Sequence, residues 1–179
     1  MLGFALALIA TDPPAPACFH SRNEAEALLQ LDEDAFDQDM EGGWRMIAGR
    51  HDGECMVAAA ELILDYVARH NGALERGYLA HWHAGQMFGM AGEGERAVAQ
   101  LQLSYRDGDE TGMPAEIWNR YVDGTIAFFV NDRQALELAR NSLPSGPHTN
   151  RDVLTGLLNC FGEPYRVAYN PACRTGAAE

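Results

Sequence analysis

Apolar residues recur at every third or fourth position along most of this chain, which is the spacing that places them on one face of an α-helix. The clearest example is the stretch 54–71, where Ala59, Leu62, Ile63 and Tyr66 share one face. No stretch shows sustained two-residue alternation between hairpin turns, the pattern typical of strands. The pattern therefore predicts an all-α fold arranged as antiparallel helical hairpins. The predicted helices cover residues 22–30, 44–48, 54–71, 74–91, 95–105, 113–130, 132–143 and 150–161.

The predicted helix ends carry capping and turn residues. Ser21 and Glu24 have the spacing of a capping box, and Asn131 is placed to cap the helix that follows it. Gly85 and Gly89 lie one helical turn apart, which predicts the close approach of a neighbouring helix. From Gly162 onward the helical pattern stops, so the C-terminal tail is expected to be irregular.

One short segment is echoed within the chain. Residues 60–66 read AELILDY and residues 99–105 read AQLQLSY, an offset of 39 residues (99 minus 60). This offset falls within the period of stacked helical hairpins. Such a unit buries its apolar face only against a neighbour, so the echo predicts a stack.

The central part of the chain resembles tetratricopeptide repeats. That family places a glycine and an aromatic residue in the first helix of each pair, and a small residue and then a large apolar one in the second. Gly85, Phe88, Gly92, Ala97 and Leu101 match this order and spacing. Weaker matches one period earlier and later are Gly53, Ala58 and Leu62, then Gly124 and Ala135, with Val130 in place of the turn glycine. The likeness covers about residues 40–142.

The resemblance implies a right-handed stack in which the first helix of each pair lines a concave groove. Grooves of this kind bind extended peptides or partner helices. Carried over residue by residue, the likeness points Trp82, Gln86 and Met90 into the groove, together with Arg120 from the next unit. These four residues are therefore candidates for contact with a protein or peptide partner.

His83 is the candidate for chemistry. His81 and His83 are two positions apart on a helix and point about 200° from each other, so they do not ligate one metal ion. His83 shares a face with Gln86, and the pair is either hydrogen-bonded within a helix pair or part of a polar pocket. In the second case, His83, Gln86 and Asp123 together would form the polar pocket of a small hydrolase-type enzyme. Asp123 itself is either a buried partner of Arg120 or Arg133, or a lone acid.

Charge narrows the classes of function further. The net charge is −13, so nucleic acid and anionic membranes are poor partners. All 13 basic residues are arginine, which excludes a Walker lysine and Schiff-base chemistry; we expect no cofactor and no metal. The acidic run at 32–41 lacks the ligand order of an EF-hand and is interpreted as a solvated helix start, with weak Ca²⁺ binding as the less favoured alternative. An acidic inhibitor or immunity-type protein, covering a basic partner, is a further alternative.

The N-terminus and the cysteines indicate export. Residues 1–17 combine a short apolar run with the small-x-small sequence Ala15-Pro16-Ala17 and are predicted to be a signal peptide, although they could instead pack on the body. An all-helical domain would then occupy 18–179, in the periplasm or secreted. The four cysteines allow three disulfide connectivities. The favoured connectivity pairs Cys160 with Cys173 and Cys18 with Cys55. The alternative is that all four cysteines are buried thiols.

These observations together predict a protein- or peptide-binding helical module of the cell envelope, monomeric or weakly dimeric. Catalysis is the less favoured alternative because no segment has a nucleophile motif. After processing, no part of the chain is expected to insert into a membrane.

Overall fold

The computed structural model describes residues 17–108, 114–144 and 149–174, and within these ranges every regular element is helical. The all-α prediction is therefore confirmed. The α-helices are α1 Arg22–Leu28, α2 Gly43–Ala48, α3 Met56–His70, α4 Gly77–Met90, α5 Gly94–Leu103, α6 Ala115–Phe129, α7 Arg133–Ser142, α8 Thr149–Asn159, α9 Tyr165–Ala168 and α10 Pro171–Arg174. A π-helical turn, Asp34–Gln38, precedes α2 and a 3₁₀ turn, Arg50–Gly53, follows it. None of these helices is long and apolar enough to cross a membrane.

Two of the predicted caps differ in detail from the structure. Ser21 accepts a hydrogen bond from the backbone N–H of Glu24 (3.2 Å), but the Glu24 carboxylate accepts from the N–H of His20 rather than from that of Ser21. The residue that caps α7 is Asp132, whose carboxylate accepts from the N–H of Ala135 (2.9 Å). Asn131 instead adopts the left-handed conformation of the preceding turn (φ +59°).

Helices that follow one another along the chain pack together, with α4 at the centre. It contacts both α3 and α5, and α6 contacts α7. Phe88 of α4 enters a core with Phe36, Ile63 and Tyr66, whereas Trp82 of the same helix enters a second core. That second core also contains Trp118, Tyr121, Leu136, Leu154 and Leu157. Because α4 contributes to both cores, it joins the N-terminal and C-terminal halves of the molecule.

The sequence echo corresponds to equivalent helices only in part. Leu62 of α3 and Leu101 of α5 are both buried, as the echo predicts. Tyr66 is also buried, stacks on Phe36 at 3.7 Å and donates to the carbonyl of Leu31 (2.9 Å). Its counterpart Tyr105 lies beyond the end of α5 and is exposed. The two copies of the echo therefore bury equivalent leucines, but their terminal tyrosines differ in burial.

Both favoured disulfides are present. Cys18 and Cys55 are joined with a Cα–Cα distance of 5.6 Å, and Cys160 and Cys173 with 5.9 Å. Two such bonds are characteristic of proteins that fold in an oxidising compartment. The predicted signal segment 1–17 lies outside the described residues except for Ala17.

The sequence predicts an irregular C-terminal tail from Gly162 onward, but the structure has helical turns there. Two helices of four residues each form here: α9 lies between Cys160 and Cys173, and α10 contains Cys173. Tyr165 and Ala168 of α9 are buried against the rest of the chain. Helices this short carry no periodic signal in the sequence, since one turn contains a single repeat of the pattern.

Gly85 is required where α5 crosses α4. A Cβ atom at this position would lie 2.9 Å from Cγ of Leu101 and 3.1 Å from the carbonyl oxygen of Ala97. We expect Gly85→Ala to lower the free energy of unfolding by about 1–3 kcal/mol, because the two helices must separate. Gly77→Ala, on the same helix, is the matched control: its Cβ would meet Leu74 at an ordinary 3.7 Å. That change should be neutral or slightly stabilising in urea denaturation, and equal effects of the two substitutions would contradict the prediction.

Candidate functional site

The most organised polar cluster surrounds Asp37, a carboxylate with only 4% of its surface exposed. Its Oδ1 accepts from Nε1 of Trp44 (2.9 Å) and pairs with Nδ1 of His83 (2.7 Å), and its Oδ2 accepts from the amide of Gln38 (2.5 Å). The guanidinium of Arg45 donates to the Asp37 carbonyl. Asp37 thus connects the π-helical turn, α2 and α4.

Local backbone geometry brings Asp37 inward. The π-helical turn buries Phe36 and Asp37 together, although the surrounding acidic residues are mostly exposed. Gly43 begins α2 in the left-handed conformation (φ +52°), and any Cβ there would collide with the carbonyl of Phe36. Only glycine therefore allows α2 to begin so close to the turn, which places Trp44 beside the Asp37 carboxylate.

The electrostatics favour the ionised carboxylate. Burial alone would raise the pKa of Asp37, but the hydrogen bond and charge of His83, the Trp44 N–H and the charge of Arg45 together lower that pKa below its ordinary value. Arg45 also lies over the Trp44 ring, 4.2 Å from its centroid. Burial lowers the pKa of Arg45, an effect that the nearby Asp37 and Asp39 oppose.

The sequence identified His83 but not its partner. An imidazole oriented by a carboxylate through Nδ1 has the geometry of a general base, and Nε2 of His83 forms no hydrogen bond within residues 17–108, 114–144 and 149–174. Asp37 belongs to the acidic run 32–41, which the sequence analysis interprets as solvated, whereas the structure buries it. The available signal was Phe36, an apolar residue in a stretch that is otherwise almost entirely polar. In the same ranges, no three His, Cys, Asp or Glu side chains converge as metal ligands.

Trp82 does not line an open groove, contrary to the expectation from the family resemblance. Its side chain is 4% exposed and packs against Trp118 and Tyr121, with ring centroids 5.1 and 4.5 Å away. Gln86 is also buried and lies beside Tyr165. The face of α4 that should bind a partner is therefore covered by α6 and by the C-terminal segment.

Met90 and Arg120 are accessible and lie in two different clefts. Met90 is half-buried at the edge of a cleft of about 740 Å³, formed by the ends of α4 and α6 and the loop before α9. Arg120 is paired with Glu116, has a side chain 40% exposed, and lines a cleft of about 450 Å³ between α6 and α7. The other residues lining this α6–α7 cleft are Asp123, Ile126, Ala127, Val130, Asp132, Ala135, Leu138, Ala139 and Ser142. His83 lines neither cleft.

Asp123 is exposed on the rim of the α6–α7 cleft, so the expectation of a buried acid is wrong. Its carboxylate accepts the hydroxyl of Tyr105 (2.6 Å), and burial together with this bond raises the pKa of Tyr105. Within the described part of the chain, neither Arg120 nor Arg133 forms an ion pair with Asp123. The predicted pocket of His83, Gln86 and Asp123 is therefore not assembled: His83 binds Asp37, and Asp123 binds Tyr105.

The α6–α7 cleft exposes large apolar side chains. Val130 is 57% exposed and Leu138 is 65% exposed, and both line it. Exposed apolar side chains that adjoin a concavity are typical of interaction sites. Comparisons of this chain with protein-family models, with curated proteins and with solved structures found no match.

Proposed function

We propose that this chain is a protein- or peptide-binding module and that its partner occupies the α6–α7 cleft. The observation that carries the proposal is the exposure of Leu138 and Val130, which both line a concave, mostly apolar surface. Burying two such side chains against a partner removes apolar area from water, which is the main favourable term in association. Of the residues that the sequence analysis named as candidates for partner contact, this proposed surface includes Arg120 and excludes Trp82.

The charge around the cleft favours a basic partner. Asp123 and Asp132 lie on its rim, and the positive charge of Arg120 is already compensated by Glu116. The whole chain carries a net charge of −13. A partner segment with an apolar anchor flanked by arginine or lysine would complement both the apolar residues that line the cleft and the acidic residues on its rim. An inhibitor or immunity-type role would use the same complementarity toward a larger basic surface.

Architecture and compartment belong to the same proposal. The consecutive packing of α3, α4 and α5, and the shared burial of Leu62 and Leu101, support a tetratricopeptide-like right-handed stack. The two disulfides support a periplasmic or secreted location. The hydrolase alternative has a specific observation in its favour, the carboxylate-oriented imidazole of His83. We place it second because the two clefts described above lie away from that side chain.

A peptide panel tests the proposed function. Peptides of about twelve residues would carry leucine or phenylalanine at every fourth position, with the charged positions either all arginine or all glutamate. We expect the arginine set to bind, to weaken as salt is raised, and to lose at least about tenfold in affinity for Leu138→Gln. Met40→Gln is the matched control, since Met40 is 75% exposed and lies outside the cleft. Failure of the whole arginine set to bind would overturn the proposal.

A further inference from the structure

The C-terminal segment lies where the family resemblance places a bound partner. Tyr165 of α9 is buried, and its ring lies 4.7 Å from that of Phe129 on α6. On α4, a Cβ at Gly89 would lie 2.9 Å from Cδ1 of Tyr165 and would also collide with the Phe129 ring. Gly89 therefore opens the space between α4 and α6 that Tyr165 fills.

A second tyrosine follows one helical turn later. The Tyr169 and Tyr165 rings are 5.4 Å apart, and the phenol of Tyr169 lies close enough to Tyr121 of α6 to raise the pKa of Tyr121. Burial is the main cause of that rise, and burial likewise raises the pKa of Tyr165. Tyr165 thus inserts between α4 and α6, and Tyr169 at i+4 packs beside α6, as two anchors of a helix do when it binds in a groove.

Among the described residues, the polar contacts of this segment with α4 and α6 come from its two tyrosine hydroxyls, beside Gln86 and Tyr121. The hydroxyl of Tyr165 is buried, lies beside Gln86, and meets no acceptor or donor at good hydrogen-bond geometry among the described residues. Across the molecule, Arg166 donates to the carbonyl of Asp52 at 3.3 Å, near the limit for a hydrogen bond. The firm attachments lie at the segment's ends, where the Cys160–Cys173 disulfide closes the loop and Asn159 donates to the carbonyl of Cys173 (2.8 Å).

We propose that the space between α4 and α6 is a second interaction surface, specific for a short helix with two aromatic side chains one turn apart, and that residues 162–172 are its built-in occupant. The chain connection to α8 and the disulfide at the other end together keep this occupant at an effective concentration of about the millimolar range, above that of a free competitor. A dithiol reductant would open the latch: Cys160 and Cys173 gain two electrons and two protons and become thiols, and the dithiol is oxidised to a disulfide. The external helix would belong to a partner protein with the same aromatic spacing.

The test uses a fluorescent peptide with the sequence of residues 162–172, GEPYRVAYNPA, added to the full chain. We expect the Cys160→Ser/Cys173→Ser variant to bind it at least about tenfold more tightly than the oxidised wild type. Cys18→Ser/Cys55→Ser keeps the latch closed and should behave like the wild type. A peptide with both tyrosines replaced by serine should not bind. Equal affinity of latched and unlatched proteins for GEPYRVAYNPA, or binding of the serine peptide, would overturn the proposal.

Hydrogen exchange of the Cys18→Ser/Cys55→Ser variant, in which Cys160–Cys173 is the remaining disulfide, provides a second measurement. After addition of dithiothreitol, amides in 162–172 should exchange at least about tenfold faster, while those of α6 keep their protection. Unchanged exchange in 162–172 would show that the segment is a permanent part of the core and would overturn the proposal. These readouts are independent of the α6–α7 cleft, so either proposal can fail without the other.

Discussion

Replacing Asp37 by alanine is expected to lower the free energy of unfolding by about 3–5 kcal/mol. The substitution removes a buried carboxylate and leaves the indole N–H of Trp44 and the imidazole of His83 without their partner. A buried donor that is left without a hydrogen-bond partner costs the full free energy of its desolvation. Urea denaturation followed by circular dichroism measures the change.

Asp39→Ala is the matched control for this prediction. Asp39 lies two residues away, is exposed, and accepts one local hydrogen bond from the N–H of Glu41 (2.9 Å). Its removal should cost less than about 1 kcal/mol. Comparable losses for the two alanine variants would show that Asp37 does not join the π-helical turn to α4.

The pH dependence of the same site has a defined sign. Because the folded state lowers the pKa of Asp37, its ionised form contributes stability above the unfolded pKa of about 3.9. That contribution is lost as the pH falls through the lower, folded-state pKa. The stability difference between wild type and Asp37→Asn should therefore shrink as the pH falls below about 4.

Removing the Cys18–Cys55 disulfide is expected to cost about 4 kcal/mol, because it closes the longer loop in the unfolded chain. Its cysteines are 37 residues apart, against 13 for Cys160–Cys173, whose loss should cost about 3 kcal/mol by the same relation. The pair also fastens the residues before α1, which Arg50 contacts as well. That guanidinium donates to the Cys18 carbonyl (2.7 Å) and to Glu24, and it lowers the pKa of Glu24 to about 2.

Thermal unfolding of the two serine double variants compares these costs directly. Each kcal/mol corresponds to a shift in Tm of about 2–4 °C for a chain of this size. We expect the Cys18→Ser/Cys55→Ser variant to melt at the lower temperature. The reverse order would mean that the C-terminal latch contributes more to stability than its loop length indicates.

The long helices could be predicted from sequence because each contains several turns of the apolar pattern, as α3 and α6 do. The disulfides followed from the cysteine count and their spacing. The position of Asp37 could not be predicted, since it depends on a π-helical turn and on Gly43, whose effects appear only in three dimensions. The burial of Trp82 was missed for a related reason: an aromatic residue on a groove-forming helix has the same spacing whether solvent, a partner or the chain's own α6 covers it.

The most direct measurement is the dissociation constant of the tightest arginine-flanked peptide for the oxidised wild type, Leu138→Gln and Met40→Gln. If the α6–α7 cleft is the partner site, Leu138→Gln weakens binding at least about tenfold, whereas Met40→Gln stays within about twofold of the wild type. Equal dissociation constants for all three proteins would place the peptide elsewhere and contradict the assignment of the α6–α7 cleft.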